Sequence, residues 1–524
     1  MAALTQETGR QVGLLVNRRG HVEAVIVGTP KEIVIPPLKR FRTGRQRLRG
    51  LRCVHTHMGP GDLSRDDLTD LAVLRLDMMT ALEVTEEGQP GLVHSAHLMP
   101  DGNESEAWRM LEPTAVHALD IDFAETITSL EEELARAPSA RPLGDMRDRA
   151  ICIHVSTGSR ADAEDSLSEL VELARSAGVV VADTIVQLRN RVDPKFVVGR
   201  GKLQEIVIGS MQREADLLIF DGELTTAQIR ALTDSTDLKI LDRTQLILDI
   251  FAQRAASREG KIQVELAQLR YRLSRLVGKG EALSRLTGGI GGRGPGETKL
   301  EIDRRRTRDR IHHLERQLKG IERSRAQRRA RRQRTGIPIL SIIGYTNAGK
   351  STLLNALTHS EVAVDNRLFA TLDPVSRRLR FPRDLEVIIT DTVGFIRDLP
   401  RDLTQAFHAT LEELAEAGLL LHVVDLSSTV YEDHMRSVQK ILAELGYGNI
   451  PRMVVFNKAD LVEPARREHA VRRHGGVAIS ALDASTLPAF IEAVEERLFE
   501  LLDLSPSVQR AAAELHKATA HLDS

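Results

Sequence analysis

The residues best suited to chemistry begin at position 344. Gly344-Tyr345-Thr346-Asn347-Ala348-Gly349-Lys350-Ser351 fits the pattern G-x-x-x-x-G-K-S, between an apolar run, IPILSII (337–343), and a helix-like run, TLLNAL (352–357). Glycines let such a loop curl until successive N–H groups face phosphate oxygens, and the dipole of the following helix adds positive potential. Lys350 is then placed to neutralise β- and γ-phosphates, and the Ser351 hydroxyl to ligate Mg2+. A Gly-rich turn is the bland alternative, but the strand before and the helix after are the context a phosphate loop requires.

Two further segments extend this chemistry. LEVIITDTVGF (385–395) is a second apolar strand, ending in Asp391-Thr392-Val393-Gly394. A carboxylate at that point suits the water shell of Mg2+, and the Gly394 N–H suits sensing of a γ-phosphate. Between the two motifs, Phe369-Ala370-Thr371-Leu372-Asp373 offers Thr371 as a second Mg2+ ligand, on a segment that orders when the γ-phosphate is present. Taken alone, Thr371 is an ordinary loop threonine. The residues expected to act on the phosphates are Asn347, Lys350, Thr371 and Gly394.

The base is read by a later pair of segments. RMVVFNKAD (452–460) ends a strand in Asn457-Lys458-Ala459-Asp460. The Asp460 carboxylate can accept two hydrogen bonds, from guanine N1–H and its N2 amino group, which adenine cannot offer. Lys458 can lay its stem over the base, and Asn457 can brace the loop and reach N7. VAISAL (477–482) follows, with the N–H groups of Ser480 and Ala481 expected to face O6 and Leu482 beside them. A carboxylate that adenine would leave unpaired discriminates by roughly 10⁴-fold or more. The expected ligands are therefore GTP and GDP.

Hydrolysis is less well provided for. Many regulatory GTPases carry a glutamine after Asp-x-x-Gly to orient the attacking water; here that residue is Phe395. Either the enzyme is a slow binding switch, or another group or a docked partner completes the site. Asn347 is found at the same loop position in GTPases that bind K+, a cation that could stabilise charge developing on the phosphates.

These motifs need a parallel sheet to hold them, and the alternation of apolar strands with amphipathic helices supplies one. The fold class expected is α/β multidomain. A P-loop GTPase domain (336–504), with a mostly parallel sheet and helices on both faces, follows a small parallel α/β domain (146–256) and an α-helical hairpin (257–335). The α/β domain is read from strand-like runs at 151–156, 179–188, 216–222 and 238–243. The hairpin joins KIQVELAQLRYRLSRLV (261–277) to IHHLERQLKGI (311–321) through GGIGGRGPG (288–296), which has six glycines in nine positions. Residues 301–335 carry 14 Lys plus Arg against five Asp plus Glu. Such a run is commonly only a solvated helix face, but basic side chains flanking a slender tip also suit phosphate-lined RNA walls. Residues 1–145 form an extension and 505–524 a tail. In the extension, VGLLV (12–16) and VEAVIVG (22–28) read as strands and LTDLAVLRLDMMTAL (68–82) as a helix.

Composition narrows the class further. The chain has 524 residues, a formal net charge of −2, 42% apolar and 28% charged residues, and 3% aromatics with a single tryptophan, Trp108. Few aromatics argue against stacking platforms for bases. Cys53 and Cys152 form no C-x-x-C pair, so neither a disulfide framework nor a thiolate zinc site is indicated. The N-terminus lacks an apolar signal core and no run of about 18 apolar residues occurs. A cytoplasmic location without a membrane span is expected.

Taken together, GYTNAGKS, FATLD, DTVGF, NKAD and SAL resemble the Obg–HflX group of GTPases. FVVGRGKLQEI (196–206), LLIFDGELT (217–225), DRTQLILDIFAQRA (242–255) and GGIGGRGPGETKLEIDRR (288–305) narrow the resemblance to the HflX family, over about residues 150–500. That resemblance implies a protein that binds the large ribosomal subunit and its rRNA, splits or rescues stalled ribosomes, and is stimulated by them; a monomer is expected. It also implies nucleotide binding, ATP included, by the α/β domain; yet Gly199-Arg200-Gly201 does not extend to G-x-G-x-x-G.

The extension departs from the family. His55-Thr56-His57, followed by Ser64 and Asp67, is one residue short of the H-x-H-x7-S-x-x-D pattern of JAB-type zinc isopeptidases. Two His and an Asp can hold Zn2+ with a position open; equally, Ser64 to Asp67 reads as a helix cap. The rival to a ribosome factor is thus a GTPase regulator or scaffold whose extension binds or processes another protein.

The base-reading assignment is checked by Asp460→Asn, which should move nucleotide preference from guanine toward xanthine in a competition titration; an unchanged guanine preference would refute the role of Asp460.

Overall fold

The computed structural model describes residues 1–36, 38, 48–99, 107–136, 147–236, 238–287, 299–333, 337–358, 368–369, 375–397 and 412–502. The stretch 100–106, the Gly-rich tip at 288–296, the residues 370–373 and the tail from 505 lie outside them. Two compact units form: Met1–Ser168 with Val179–Leu241, and Glu169–Gly178 with Asp242–Ser524.

The first unit holds two sheets. In the seven-stranded one the spatial order is Val22–Val27, Val12–Asn17, Leu51–Met58, Met78–Val84, Pro90–Leu98, Trp108–Met110, with Thr114–Ala115 also on Pro90–Leu98. Neighbours run antiparallel except Leu51–Met58 and Met78–Val84, which are parallel across the helix Arg65–Val73. That helix begins on a capping box: Ser64 Oγ accepts from Asp67 N, and Asp67 Oδ2 accepts from Ser64 N.

The helix expected over 68–82 is shorter than its periodicity suggests. It stops at Val73, and Met78–Val84 is a strand. Arg75 takes φ 51° at the break, and the buried Asp77 that follows is paired with Arg18 at 2.6 Å. A left-handed residue ends a helix, and the apolar run beyond it then finds a ladder partner in Leu51–Met58.

The four-stranded sheet has the order Lys239–Asp242, Leu217–Phe220, Arg149–Ser156, Val180–Leu188, with the pairs of Arg149–Ser156 to both neighbours parallel. Its strands lie where the apolar runs are. Leu217–Phe220 is buried throughout, as expected of a strand covered on both faces.

In the second unit the helices Arg258–Thr287 and Lys299–Gln333 pack through Ile262, Leu266, Ile311 and Leu314. The six-stranded sheet has the order Val375–Arg380, Glu386–Asp391, Ile339–Gly344, Leu419–Asp425, Arg452–Asn457, Val477–Ala478. All its pairs are parallel except that of the edge strand Val375–Arg380. Two cores show that both faces are covered. Val423 and Val455 pack with Leu353, Phe490 and Leu498 on one face; their sequence neighbours Val424 and Phe456 pack with Tyr431, Met435 and Ala470 on the other. The two-residue period of a strand makes that division, and burying both sides rigidifies the strand ends.

Candidate functional site

Strand Ile339–Gly344 is flanked by Glu386–Asp391 on one side and Leu419–Asp425 on the other. Open α/β sheets leave a crevice at such a switch point, beyond the carboxyl ends of the strands. Into it runs the loop 345–349, which leads to helix Lys350–Thr358. Gly349 has φ 87°, and a Cβ there would stand 2.2 Å from Asn457 Nδ2. Asn347 also sits at positive φ, 60°. The loop thus takes a left-handed residue twice in three positions, a curl that turns backbone N–H groups toward one centre.

Lys350 is buried, and its Nζ donates to the Tyr345 carbonyl at 2.6 Å. Burial lowers its pKa to about 8, a fall that Asp391 partly offsets. An ammonium held in so poorly solvated a position gains on meeting an anion. Ser351 Oγ donates to Asp391 Oδ2 at 2.6 Å, so the hydroxyl of one motif and the carboxylate of the other share a point. Hard oxygen donors of this kind suit Mg2+.

The Asp391–Phe395 stretch is fastened to the phosphate loop by backbone. Phe395 N donates to Gly344 O at 3.1 Å, and Thr346 N to Phe395 O at 2.8 Å. A Cβ on Gly394 would meet Lys350 Nζ at 3.0 Å, so a glycine permits this approach. The Phe395 ring is buried and brings no polar group to the crevice.

Asn457 joins the two halves of the site. Its Nδ2 donates to Ala348 O in the phosphate loop and its Oδ1 accepts from Ala481 N, both at 2.9 Å. Asp460 is exposed at the mouth, and Leu482 is 84% exposed.

Several expected ligands are turned elsewhere. The N–H groups of Ser480 and Ala481 do not face open space: the first donates to Thr486 Oγ1 at 3.1 Å and the second to Asn457. In this structure both donors are engaged, and through Ala481 the 477–482 segment braces Asn457. Thr392 Oγ1 donates to Ile342 O at 2.7 Å and is buried, tying strand to strand. Phe369 is buried edge-on against Phe251, ring centroids 4.6 Å apart, and an enclosed ring cannot line an open pocket. Val393 and Ala459 are likewise buried. Ala370, Thr371, Leu372 and Asp373 lie outside the described residues.

Other partners carried no sequence signal strong enough to be read. Lys458 Nζ pairs with Asp425 Oδ2 at 2.6 Å, which aligns its stem along the base-side wall. Asp425 ends the apolar run LLLHVVD (419–425) at the carboxyl end of its strand, a position that could have marked it. The Tyr345 hydroxyl donates to Glu169 and accepts from Arg397 N at 2.7 Å, while its ring stacks on His434 at 3.9 Å. Glu169 is paired in turn with Arg243 at 2.9 Å. Burial and the Glu169 charge push the phenol above its usual range, so it stays a neutral donor. These contacts span up to 176 residues and follow no local pattern.

In the extension, the structure brings His55, His57 and Asp67 together. Ser64 caps the helix and hydrogen-bonds Asp67.

Family models agree with this architecture. Residues 164–252 match the model described as GTP-binding GTPase N-terminal, 254–332 GTP-binding GTPase Middle Region, and 339–458 50S ribosome-binding GTPase. The curated GTPase HflX of Caldanaerobacter subterraneus subsp. tengcongensis is 49% identical over 354 residues, 68% of this chain and 82% of the relative. GTPase HflX of Escherichia coli is 43% identical over 357 residues, 68% and 84% of the two chains.

The chain belongs to the HflX family of GTPases. As an HflX-family protein it binds GTP and hydrolyses it to GDP and phosphate, and the crevice at Lys350 is the site suited to both. None of the three matched regions includes residues 1–145.

Gly349→Ala should weaken GDP binding by roughly tenfold or more, since a strained left-handed residue costs about 1–3 kcal/mol and its Cβ would displace Asn457. Titration with a fluorescent GDP, beside a circular dichroism spectrum showing a folded chain, checks this; wild-type affinity would contradict the geometry.

Proposed function

We propose that this HflX-family GTPase acts on the ribosome, binding the large subunit and its rRNA and splitting or rescuing stalled particles. The observation that carries the reading is the basic charge of the helix Lys299–Gln333, which takes in nearly all of residues 301–335 with their 14 Lys plus Arg against five Asp plus Glu. Such a helix binds phosphate by releasing condensed counterions, whereas the GTPase crevice has no use for it. The matched description, 50S ribosome-binding GTPase, supports the same partner. The protein works as a cytoplasmic monomer, and among the described residues no helix is long and apolar enough to cross a membrane.

In this reading Lys350 neutralises the phosphates, Gly394 N–H reports the γ-phosphate, and Asp460 selects guanine. Ser351 and Thr371 would ligate Mg2+, with Asp391 acting through its water shell; the hydroxyl and carboxylate oxygens already gathered there fit that ion. Bound Mg2+ supplies charge neutralisation across the β- and γ-phosphates. Water attacks the γ-phosphorus, the bond from it to the β-bridging oxygen breaks, and GDP leaves with its new negative charge. Phe395 cannot orient that water, so the intrinsic rate is slow and the docked ribosome completes the site.

Sedimentation with large subunits tests the partner. Co-pelleting should appear with a non-hydrolysable GTP analogue and weaken steeply as salt rises; a chain that stays in the supernatant at low salt would refute the ribosome reading and favour the scaffold role. A second assay addresses Asn347. If K+ sits beside it, GTP turnover in K+ exceeds that in Na+ at equal ionic strength, and equal rates would dismiss the cation.

A further inference from the structure

The extension carries a cluster that GTP chemistry leaves idle. His55 and His57 lie two apart on the strand Leu51–Met58, so both side chains leave one face of the sheet. Asp67, in the first turn of the helix Arg65–Val73, reaches them. The two Nε2 atoms are 3.0 Å apart, His55 Nε2 is 3.2 Å from Asp67 Oδ1, and His57 Nε2 is 3.2 Å from Asp67 Oδ2.

With Asp67 as a carboxylate, hydrogen bonding alone cannot satisfy all three contacts. Protonating both Nε2 atoms lets each donate to the carboxylate but sets two N–H groups against each other. Protonating one leaves the lone pair of the other facing a carboxylate oxygen. Every such arrangement sets like against like at least once, whereas a cation at the centre relieves all three contacts. The spacing also suits a metal: the two Nε2 atoms, 3.0 Å apart, lie near the separation of about 3.3 Å expected of tetrahedral ligands on an ion at about 2.0–2.1 Å, and one ligand atom from each of the three residues lies within 4.8 Å of the others. Imidazole nitrogens with one carboxylate suit Zn2+, unlike the all-oxygen preference of Mg2+.

The carboxylate is fixed in place from behind. Asp67 Oδ2 accepts from Ser64 Oγ at 2.6 Å and from Ser64 N at 2.9 Å, so the helix cap doubles as the outer support that orients a ligand. A loop one residue shorter than the H-x-H-x7-S-x-x-D spacing therefore still lets the three groups meet. His55 is fully buried while His57 and Asp67 keep 15% and 10% of their side-chain exposure, which places the opening on the His57 side. Glu83 pairs in register with His57, and its Oε1 meets His94 Nε2 at 3.0 Å, giving that neighbourhood a polar rim.

We propose that His55, His57 and Asp67 bind a Zn2+ ion in the intact protein, as a site with three protein ligands and a fourth position open to water.

The test uses the full-length chain, stripped by a chelator, restored with Mg2+ and GDP, loaded with Zn2+ alone and desalted. Elemental analysis should find zinc in stoichiometric amount with the wild type and little with His57→Ala or Asp67→Asn; the second variant keeps an acceptor for the Ser64 cap. Substituted Co2+ should give the visible absorption of a tetrahedral site in the wild type and lose it in both variants. GTP hydrolysis should be unchanged in both, which separates loss of metal from loss of fold. Wild-type protein that desalts to a zinc-free state, or variants that retain as much zinc as the wild type, would overturn the assignment.

Discussion

One side-chain amide holds the guanine-nucleotide crevice together. Asn457 donates to the phosphate loop at Ala348 and accepts from the base-side loop at Ala481. An amide has both a donor and an acceptor end, so it can tie two loops whose free groups are of opposite kind. It is buried, and buried polar atoms are costly unless paired, so each loop is fixed relative to the other. Gly349 belongs to the same constraint, because any side chain there would occupy the space of the Asn457 amide. Without that clasp, Lys350 and Asp460 would hang from separate strand ends with no common reference.

A second tie runs through backbone and explains how the phosphate side could report its state. Phe395 exchanges hydrogen bonds with Gly344 and Thr346, so movement of Gly394 is felt by the phosphate loop. Arg397, two residues further, bonds the hydroxyl of Tyr345, which is itself held by Glu169. Glu169 is thereby tied to the phosphate loop across 176 positions of sequence.

How much of this was legible beforehand depended on whether a feature is local. The phosphate loop, Asp391 and the Asn457–Asp460 segment announce themselves because each is a short run at a strand end, with a neighbour that fixes its context. The apolar runs of the four-stranded sheet were equally plain. Periodicity over 68–82 predicts a longer helix than Arg65–Val73, since it cannot register one left-handed residue at Arg75. The partners of the Ser480 and Ala481 N–H groups are not legible for a different reason: a backbone N–H looks available until its partner, here Thr486 or Asn457, is placed. Glu169, Arg243 and His434 give no usable signal, because their partners are remote in sequence and meet only in the fold; Asp425 is marked only by its place at the end of an apolar run. The histidines of the extension lie between these cases. Their spacing was visible, but a helix cap and a metal ligand use Asp67 in the same way until the distances are known.

On the reading proposed above, the pocket at the Lys350 crevice accepts guanine and refuses adenine. This selectivity is tested most directly by displacing a fluorescent GDP from the purified full-length chain, with GTP in one titration and ATP in another. GTP should displace the probe at concentrations near that of GDP itself, and ATP should leave it bound even in large excess. Displacement by ATP as readily as by GTP would contradict the account.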